Sequence, residues 1–122
     1  MKHNVLLSLA GNFQQKRNLA EARERLLPLF EQLTFTHERW TKPIGNSRPC
    51  RYLNQLAKGT TDMDADTLQT CLKKMEKEMG RTPEEREQGI VRIDLDLLLF
   101  DQQRYHERDW ERDYIRRLLD DF

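Results

Sequence analysis

A chain of 122 residues is long enough for one domain built on one hydrophobic core, and too short for a second. Lysine plus arginine and aspartate plus glutamate balance at 21 each, which excludes a bulk basic field for nucleic acid and an acidic disordered tail. Two cysteines, Cys50 and Cys71, lack ligand-like neighbours, and no apolar run reaches bilayer-spanning length. The expectation is a soluble, reduced, cytoplasmic protein, monomeric or weakly dimeric, with no nucleic-acid or membrane partner.

Val5–Leu9 is a compact apolar run stopped by Gly11-Asn12 and reads as a buried strand. From about Gln14 to Leu33, the residues Leu19, Ala22, Leu26, Leu29, Phe30 and Leu33 recur at helical spacing. Pro28 interrupts that pattern and predicts a kink or stop near Leu27 before the helix restarts. Thr34–Trp40 alternates loosely, as a strand does. Pro43, Gly45, Asn46, Ser47 and Pro49 then make Thr41–Arg51 a long breaker-rich loop, the kind of segment that carries function.

Tyr52–Lys58 is the next strand, with Tyr52 and Asn54 on one face and Leu53 on the other. Asp64 is positioned to cap a helix over Ala65–Met79, in which Leu68, Cys71, Leu72, Met75 and Met79 form one apolar stripe and Gly80 closes the end. Arg81–Gly89 reads as a polar loop containing Pro83, Ile90–Phe100 as a strand, and Trp110–Leu119 as a final helix burying Tyr114, Ile115 and Leu118. The order predicts a single α+β domain over residues 1–122. Its architecture is a ferredoxin-like βαββαβ sheet with helices on one face and a C-terminal helix.

Chemistry concentrates in Ile90–Phe100. Val91, Ile93, Leu95, Leu97 and Leu99 alternate with Arg92, Asp94 and Asp96, so a strand here gathers one cation and two carboxylates on its polar face. Adjacent carboxylates repel unless a cation lies between them, which makes Asp94 and Asp96 candidate Mg²⁺ ligands. The alternative is a solvated strand face whose charges only keep the sheet soluble.

Several spaced motifs together resemble the 6-hydroxymethyl-7,8-dihydropterin pyrophosphokinase family of folate biosynthesis. Ala10-Gly11-Asn12 stands where the family has a Gly-Ser-Asn turn. Thr41, Pro43, Ile44-Gly45 and Tyr52-Leu53-Asn54 resemble its pterin loop, and Gly80-Arg81 followed by Asp94-Leu95-Asp96 resembles its mobile loop and metal strand. The resemblance implies transfer of a pyrophosphoryl group from MgATP to the pterin hydroxymethyl, with release of AMP. Asp94 and Asp96 would hold two Mg²⁺ ions, and Asp96 would assist removal of the hydroxyl proton. Arg81, Arg92 and Arg112 would clamp the triphosphate, a task suited to guanidinium forks.

A flat pterin needs apolar faces and an edge of paired donors and acceptors. Asn54 can supply both from one side chain. Tyr52 and Tyr114 resemble the aromatic sandwich of the family, with Tyr114 having a rival role in the core; Thr41 and Ile44 would add backbone contacts. Trp40 and Trp110 read as packing residues at the core margin.

The chain also departs from the family pattern. Gln88–Arg92 lacks the tryptophan and proline of the mobile loop, and Arg92 sits one residue closer to Asp94. That shift places Arg92 on the aspartate face and predicts that it pairs with Asp94 or Asp96 when no metal is bound. The stretch after the metal strand is shortened, Asp109-Trp110 replaces a Pro-His motif, and the scattered histidines His3, His37 and His106 suggest no acid–base pair. These departures keep open a catalytically weak relative that binds a pterin or nucleotide. A ferredoxin-like RNA-binding domain is disfavoured, because Asp94 and Asp96 would repel phosphate where such a sheet needs aromatics.

Overall fold

The computed structural model describes residues 1–43, 49–80 and 82–122, so Ile44 and Arg81 lie outside the described residues. In chain order the elements are β1 (His3–Gly11), α1 (Gln15–Leu26), a 3₁₀ turn (Leu27–Leu29), β2 (Gln32–Phe35), β3 (Arg39–Thr41) and β4 (Tyr52–Thr61). They continue with α2 (Ala65–Glu78), α3 (Pro83–Glu87), β5 (Asp94–Phe100), β6 (Gln103–Arg104), α4 (Glu107–Trp110) and α5 (Asp113–Leu119). The sheet runs β2-β4-β1-β5-β6, with β3 continuing beside β4. Each of these pairings is antiparallel. With β2 and β3 counted as one interrupted strand, this is the ferredoxin-like order that the sequence predicts.

Alternation along the strands sorts side chains into two layers. Val5, Leu7 and Leu9 of β1, Leu53 and Ala57 of β4, and Leu95 and Leu97 of β5 pack with Leu19, Ala22 and Leu26 of α1 and Leu68, Leu72 and Met75 of α2. On the opposite face Leu6, Leu56 and Leu98 pack with Ile115 and Leu118 of α5, leaving the other end of that face to polar residues. Leu9 is fully buried in the main layer, and truncation to alanine there costs about 2–5 kcal/mol.

Several boundaries differ from the sequence reading, each for a local reason. The first helix stops at Leu26 and passes through the 3₁₀ turn at Pro28 without restarting; Leu33 belongs to β2, paired with Gly59. Thr34–Trp40 splits because Thr36 leaves the ladder: its backbone N–H donates to Leu56 O at 2.9 Å, while its hydroxyl accepts from Leu56 N–H at 3.0 Å and donates to His37 O at 2.9 Å. The polar loop after α2 contains α3, started by Pro83 and capped by the Thr82 hydroxyl, which accepts from Glu85 N–H at 3.2 Å. The last helix is two short ones, α4 and α5.

The strand after the loop begins only at Asp94, so Ile90–Ile93 are not part of it. Further along, β1 and β5 slip in register between Leu6 and Leu7, where Leu98 is the extra residue between Leu97 and Leu99. That irregularity lets Leu99 join Leu98 on the α5 side, although strict alternation assigns it to the other face. The helix α2 matches its prediction: Asp64 Oδ1 accepts from Thr67 N–H at 2.8 Å, and Gly80 closes the end at φ 101°.

Candidate active site

Small residues on the central strand create the hollow. On the α5 side of β1, Leu6 is followed by Ser8 and Ala10, and Ala10 is paired with Asn54 of β4 on one flank and Asp94 of β5 on the other. Ser8 lies opposite Asp96 in the same way. Two strand spacings put the Asn54 and Asp94 backbones about 10 Å apart across a floor with almost no side chains. The resulting cavity of about 180 Å³ is walled by Thr41, Tyr52, Asn54, Asp94, Asp96, Arg112 and Tyr114, with Lys42 and Asp109 at its margin. Every predicted pterin or metal residue that falls within the described residues therefore faces one space. A larger hollow of about 750 Å³ lies at the far end of the same face, against Trp110 and Phe122, and holds none of them.

Asn54 is nearly inaccessible and is held by its own amide group, which donates to Arg39 O at 3.1 Å and Thr41 Oγ1 at 2.8 Å. Its donors are thus spent on fixing β3, and its carbonyl oxygen is what remains for a ligand. Tyr114 does both jobs considered for it: it lines the cavity and packs against the Leu6–Leu56–Leu98 cluster. Burial, reinforced by Asp109, pushes its phenol up to about 12. Trp110 packs as expected, its indole N–H donating to Tyr105 O at 3.1 Å, whereas Trp40 is 44% exposed on β3 and is not a core-margin residue.

The aspartate pair has the electrostatics of a cation site. Burial and then the Asp94 charge raise the Asp96 carboxyl above its ordinary range, against the opposing pull of Lys73 and His106. Hard carboxylate donors, half-buried on one strand face, with the charged form of Asp96 disfavoured by burial, fit Mg²⁺. Two further groups reach the same carboxylate. His106 Nε2 lies 3.6 Å from Asp96 Oδ1, and Lys73 Nζ donates to the same oxygen at 3.5 Å. Ligand atoms of Asp96, His106 and Asp109 lie within 4.8 Å of one another.

Arg92 is a correction. It precedes β5 instead of alternating with the aspartates along it, and its guanidinium turns to Glu85 of α3 with a hydrogen bond of 2.8 Å while lying 4.9 Å over the Phe13 ring. Arg112, by contrast, does reach the cavity, where its Nε donates to Asp109 Oδ1 at 3.1 Å.

The sequence pattern also passed over Lys73, Glu76, His106 and Asp109. One signal was present: Glu76 is eight residues after Leu68 and four after Leu72, on the buried stripe of α2, where a carboxylate needs a partner. It is 2% exposed and accepts from Leu95 N–H at 2.7 Å.

Comparison with known proteins decides the family. The model of the 7,8-dihydro-6-hydroxymethylpterin-pyrophosphokinase family matches residues 6–122. The chain belongs to that family. The pyrophosphokinases of this family are diphosphokinases, transferases by reaction class. A folate synthesis bifunctional protein of Arabidopsis thaliana is 29% identical over 121 residues, covering 91% of this chain and 25% of that protein. A second, the mitochondrial folate synthesis bifunctional protein of Arabidopsis thaliana, is 28% identical over 124 residues, 93% of this chain and 22% of its own length. The chain thus spans about a quarter of the length of the curated relatives it matches. Among the described residues, no helix is long and apolar enough to cross a membrane.

Proposed function

We propose that this pyrophosphokinase-family domain transfers the β,γ-pyrophosphoryl group of ATP to the hydroxymethyl group of 6-hydroxymethyl-7,8-dihydropterin and releases AMP. The observation that carries this reading is the single cavity in which Asn54, Tyr52 and Tyr114 face Asp94 and Asp96 across the bare floor of β1. Its volume suits one small flat ring system, with a nucleotide approaching from the open side.

The reaction forms a bond from the hydroxymethyl oxygen to the β-phosphorus and breaks the bond from that phosphorus to the oxygen it shares with the α-phosphorus. Charge spreads over phosphoryl oxygens, so positioning and counter-charge carry the catalysis. Asp94 and Asp96 would hold two Mg²⁺ ions, which would supply positive charge to offset that of the phosphates. Arg112 faces the same space and would bind phosphate oxygens. Arg92 would do so after leaving Glu85, and Arg81 and Ile44 keep the triphosphate and pterin roles the family resemblance implies. Asp96, with His106 Nε2 3.6 Å from its Oδ1, would take the hydroxyl proton. Asn54 Oδ1 would accept from the pterin edge, and Thr41 would hold that amide in place.

The reading places the protein in the cytoplasm with ATP and the hydroxymethyl pterin as its small-molecule partners; Cys50 and Cys71 are both free thiols, as a reducing compartment maintains. A second reading, a pterin- or nucleotide-binding relative with little turnover, is favoured by the engagement of Arg92 with Glu85 away from the cavity. Incubation with MgATP and 6-hydroxymethyl-7,8-dihydropterin separates the two. Stoichiometric AMP and pterin pyrophosphate are expected; ADP as the product, or ligand binding without AMP, would overturn the proposed reaction.

A further inference from the structure

Among the described residues, the first half of β5 is an open sheet edge, since β6 pairs with it at Leu99 and Phe100. An open edge leaves backbone donors and acceptors to be satisfied by other means. Here α2 supplies side chains for the task. Glu76 accepts from Leu95 N–H at 2.7 Å, and Lys73 Nζ donates to Leu95 O at 3.4 Å and to Glu76 Oε2 at 3.2 Å. Lys73 then reaches round the edge to the other face of the sheet, where the same ammonium donates to Asp96 Oδ1 at 3.5 Å.

The two side chains differ in how freely they can move. The Glu76 side chain is 3% exposed and fixed by the backbone of β5, whereas the Lys73 side chain is 54% exposed on a flexible four-carbon stem. An ammonium is a point charge that can leave a carboxylate without unlocking a planar fork, and its exposure means that leaving forfeits little packing. Three carboxylates, Asp94, Asp96 and Glu76, surround it, so it is a counter-charge already in place where the aspartate pair would take a divalent cation.

We infer that Lys73 is a positioning residue for Asp96, a resident ammonium that holds this carboxylate at the edge of β5 and competes with the divalent cation that displaces it. The inference rests on the proposed assignment of Mg²⁺ to Asp94 and Asp96. Lys73 keeps the pair ordered in the metal-free protein and thereby sets how much Mg²⁺ the site needs. Removing its charge takes away one cation that competes with the ion for Asp96.

The test is a titration of the free protein with Mg²⁺ alone, without nucleotide, read by thermal unfolding at low ionic strength. Lys73→Met is expected to unfold at lower temperature than the wild type without Mg²⁺ and to reach half-saturation at roughly threefold to tenfold lower Mg²⁺, the size of a screened charge–charge term at this range. Lys73→Gln keeps amide donors for Leu95 O and Glu76 but not the charge, so it shows the same lowered midpoint even if the methionine variant fails to fold. Lys73→Arg keeps the charge, so its midpoint does not fall below the wild-type value, and adding Asp96→Asn abolishes the Mg²⁺ response.

A purely structural Lys73 would lower thermal stability while leaving the Mg²⁺ midpoint unmoved. That result overturns the inference, as does a midpoint that rises, or a Mg²⁺ response that survives Asp96→Asn. AMP release by the wild type is measured separately. It reads the proposed reaction alone, whereas the midpoints read Lys73 alone.

Discussion

Arg92 and Glu85 form a two-pronged ion pair: Nε donates to both carboxylate oxygens, at 2.9 and 3.1 Å, and Nη2 donates to Oε2 at 2.8 Å. The pair ties α3 to the segment that leads into β5, so the short helix and the aspartate strand are coupled through one guanidinium. The hydrogen bonds from Arg92 hold the Glu85 carboxyl below its ordinary range. A lowered carboxyl contributes stability that is present above its unfolded value and lost as pH falls through the folded one.

Acidification below the ordinary glutamate value of 4.5 is therefore expected to open this latch, and neutral pH to keep it closed. Hydrogen exchange followed over residues 83–90, compared between the wild type and Glu85→Gln, checks it. Relative to intrinsic exchange at each pH, the wild type should lose protection below that value and the variant should be poorly protected throughout. Equal protection of the two at neutral pH would show that the pair does not hold α3.

Release of Arg92 is also what the proposed reaction requires. Glu85→Gln should weaken the hold on the guanidinium and leave it available to phosphate, while Arg92→Ala should lower kcat for AMP release more than it raises KM for the pterin, because the phosphates carry charge that grows in the transition state. Steady-state kinetics on both variants distinguish these effects. A pure KM effect in Arg92→Ala would place Arg92 in ground-state binding.

At the aspartate pair, Asp96→Asn removes a carboxylate that burial and Asp94 make costly to ionise. Without Mg²⁺ the variant should melt a few degrees higher than the wild type, about the shift that 1 kcal/mol produces in a domain of this size. AMP formation should fall to background. Retained activity would remove Asp96 from the metal site.

Asn54 has a different signature. Its amide ties Arg39 and Thr41 of β3 to β4, so Asn54→Leu strands an acceptor on β3 and should destabilise the domain by about 1–3 kcal/mol. Thr41→Val tests the same tie from the other side and leaves Asn54 Oδ1 in place. If Asn54 recognises the pterin, Asn54→Leu should lose affinity in a pterin titration while Thr41→Val loses less. Equal losses would assign Asn54 to holding the strand alone.

What was legible in the sequence was what repeats. The α2 stripe, its Asp64 cap and Gly80 follow from spacing, and so does the shared face of Asp94 and Asp96, which needs only period-2 alternation from Asp94 onward. Arg92 was misplaced because alternation was extended past the true start of β5, into a segment whose backbone is bound instead to Asn12: Asn12 N–H donates to Val91 O at 2.8 Å, and Asn12 Oδ1 accepts from Val91 N–H at 2.7 Å. No periodicity reports a side-chain clamp of that kind. Lys73 and His106 approach Asp96 from separate helix and loop segments, and sequence spacing carries no measure of such an approach.

Two glycines flank Arg92 and predict different failures. At Gly80 an added Cβ would come within 3.2 Å of Arg92 Cδ, part of a flexible side chain, and the residue stands at φ 101°. Gly80→Ala should therefore cost about 1–2 kcal/mol in backbone strain and shift the guanidinium. At Gly11 the added Cβ would lie 2.6 Å from Arg92 O and 3.2 Å from Val91 O, backbone atoms that cannot rotate away. Gly11→Ala must push the 91–92 segment off β1, breaking the Asn12 clamp and moving the start of β5 with Asp94. Thermal unfolding and Mg²⁺ titration of the two variants separate these consequences: Gly80→Ala should lose stability with its Mg²⁺ midpoint nearly unchanged, and Gly11→Ala should lose both. A Gly11→Ala variant with a wild-type Mg²⁺ midpoint would show that the aspartate pair is positioned by β5 pairing alone, without the clamp at Asn12.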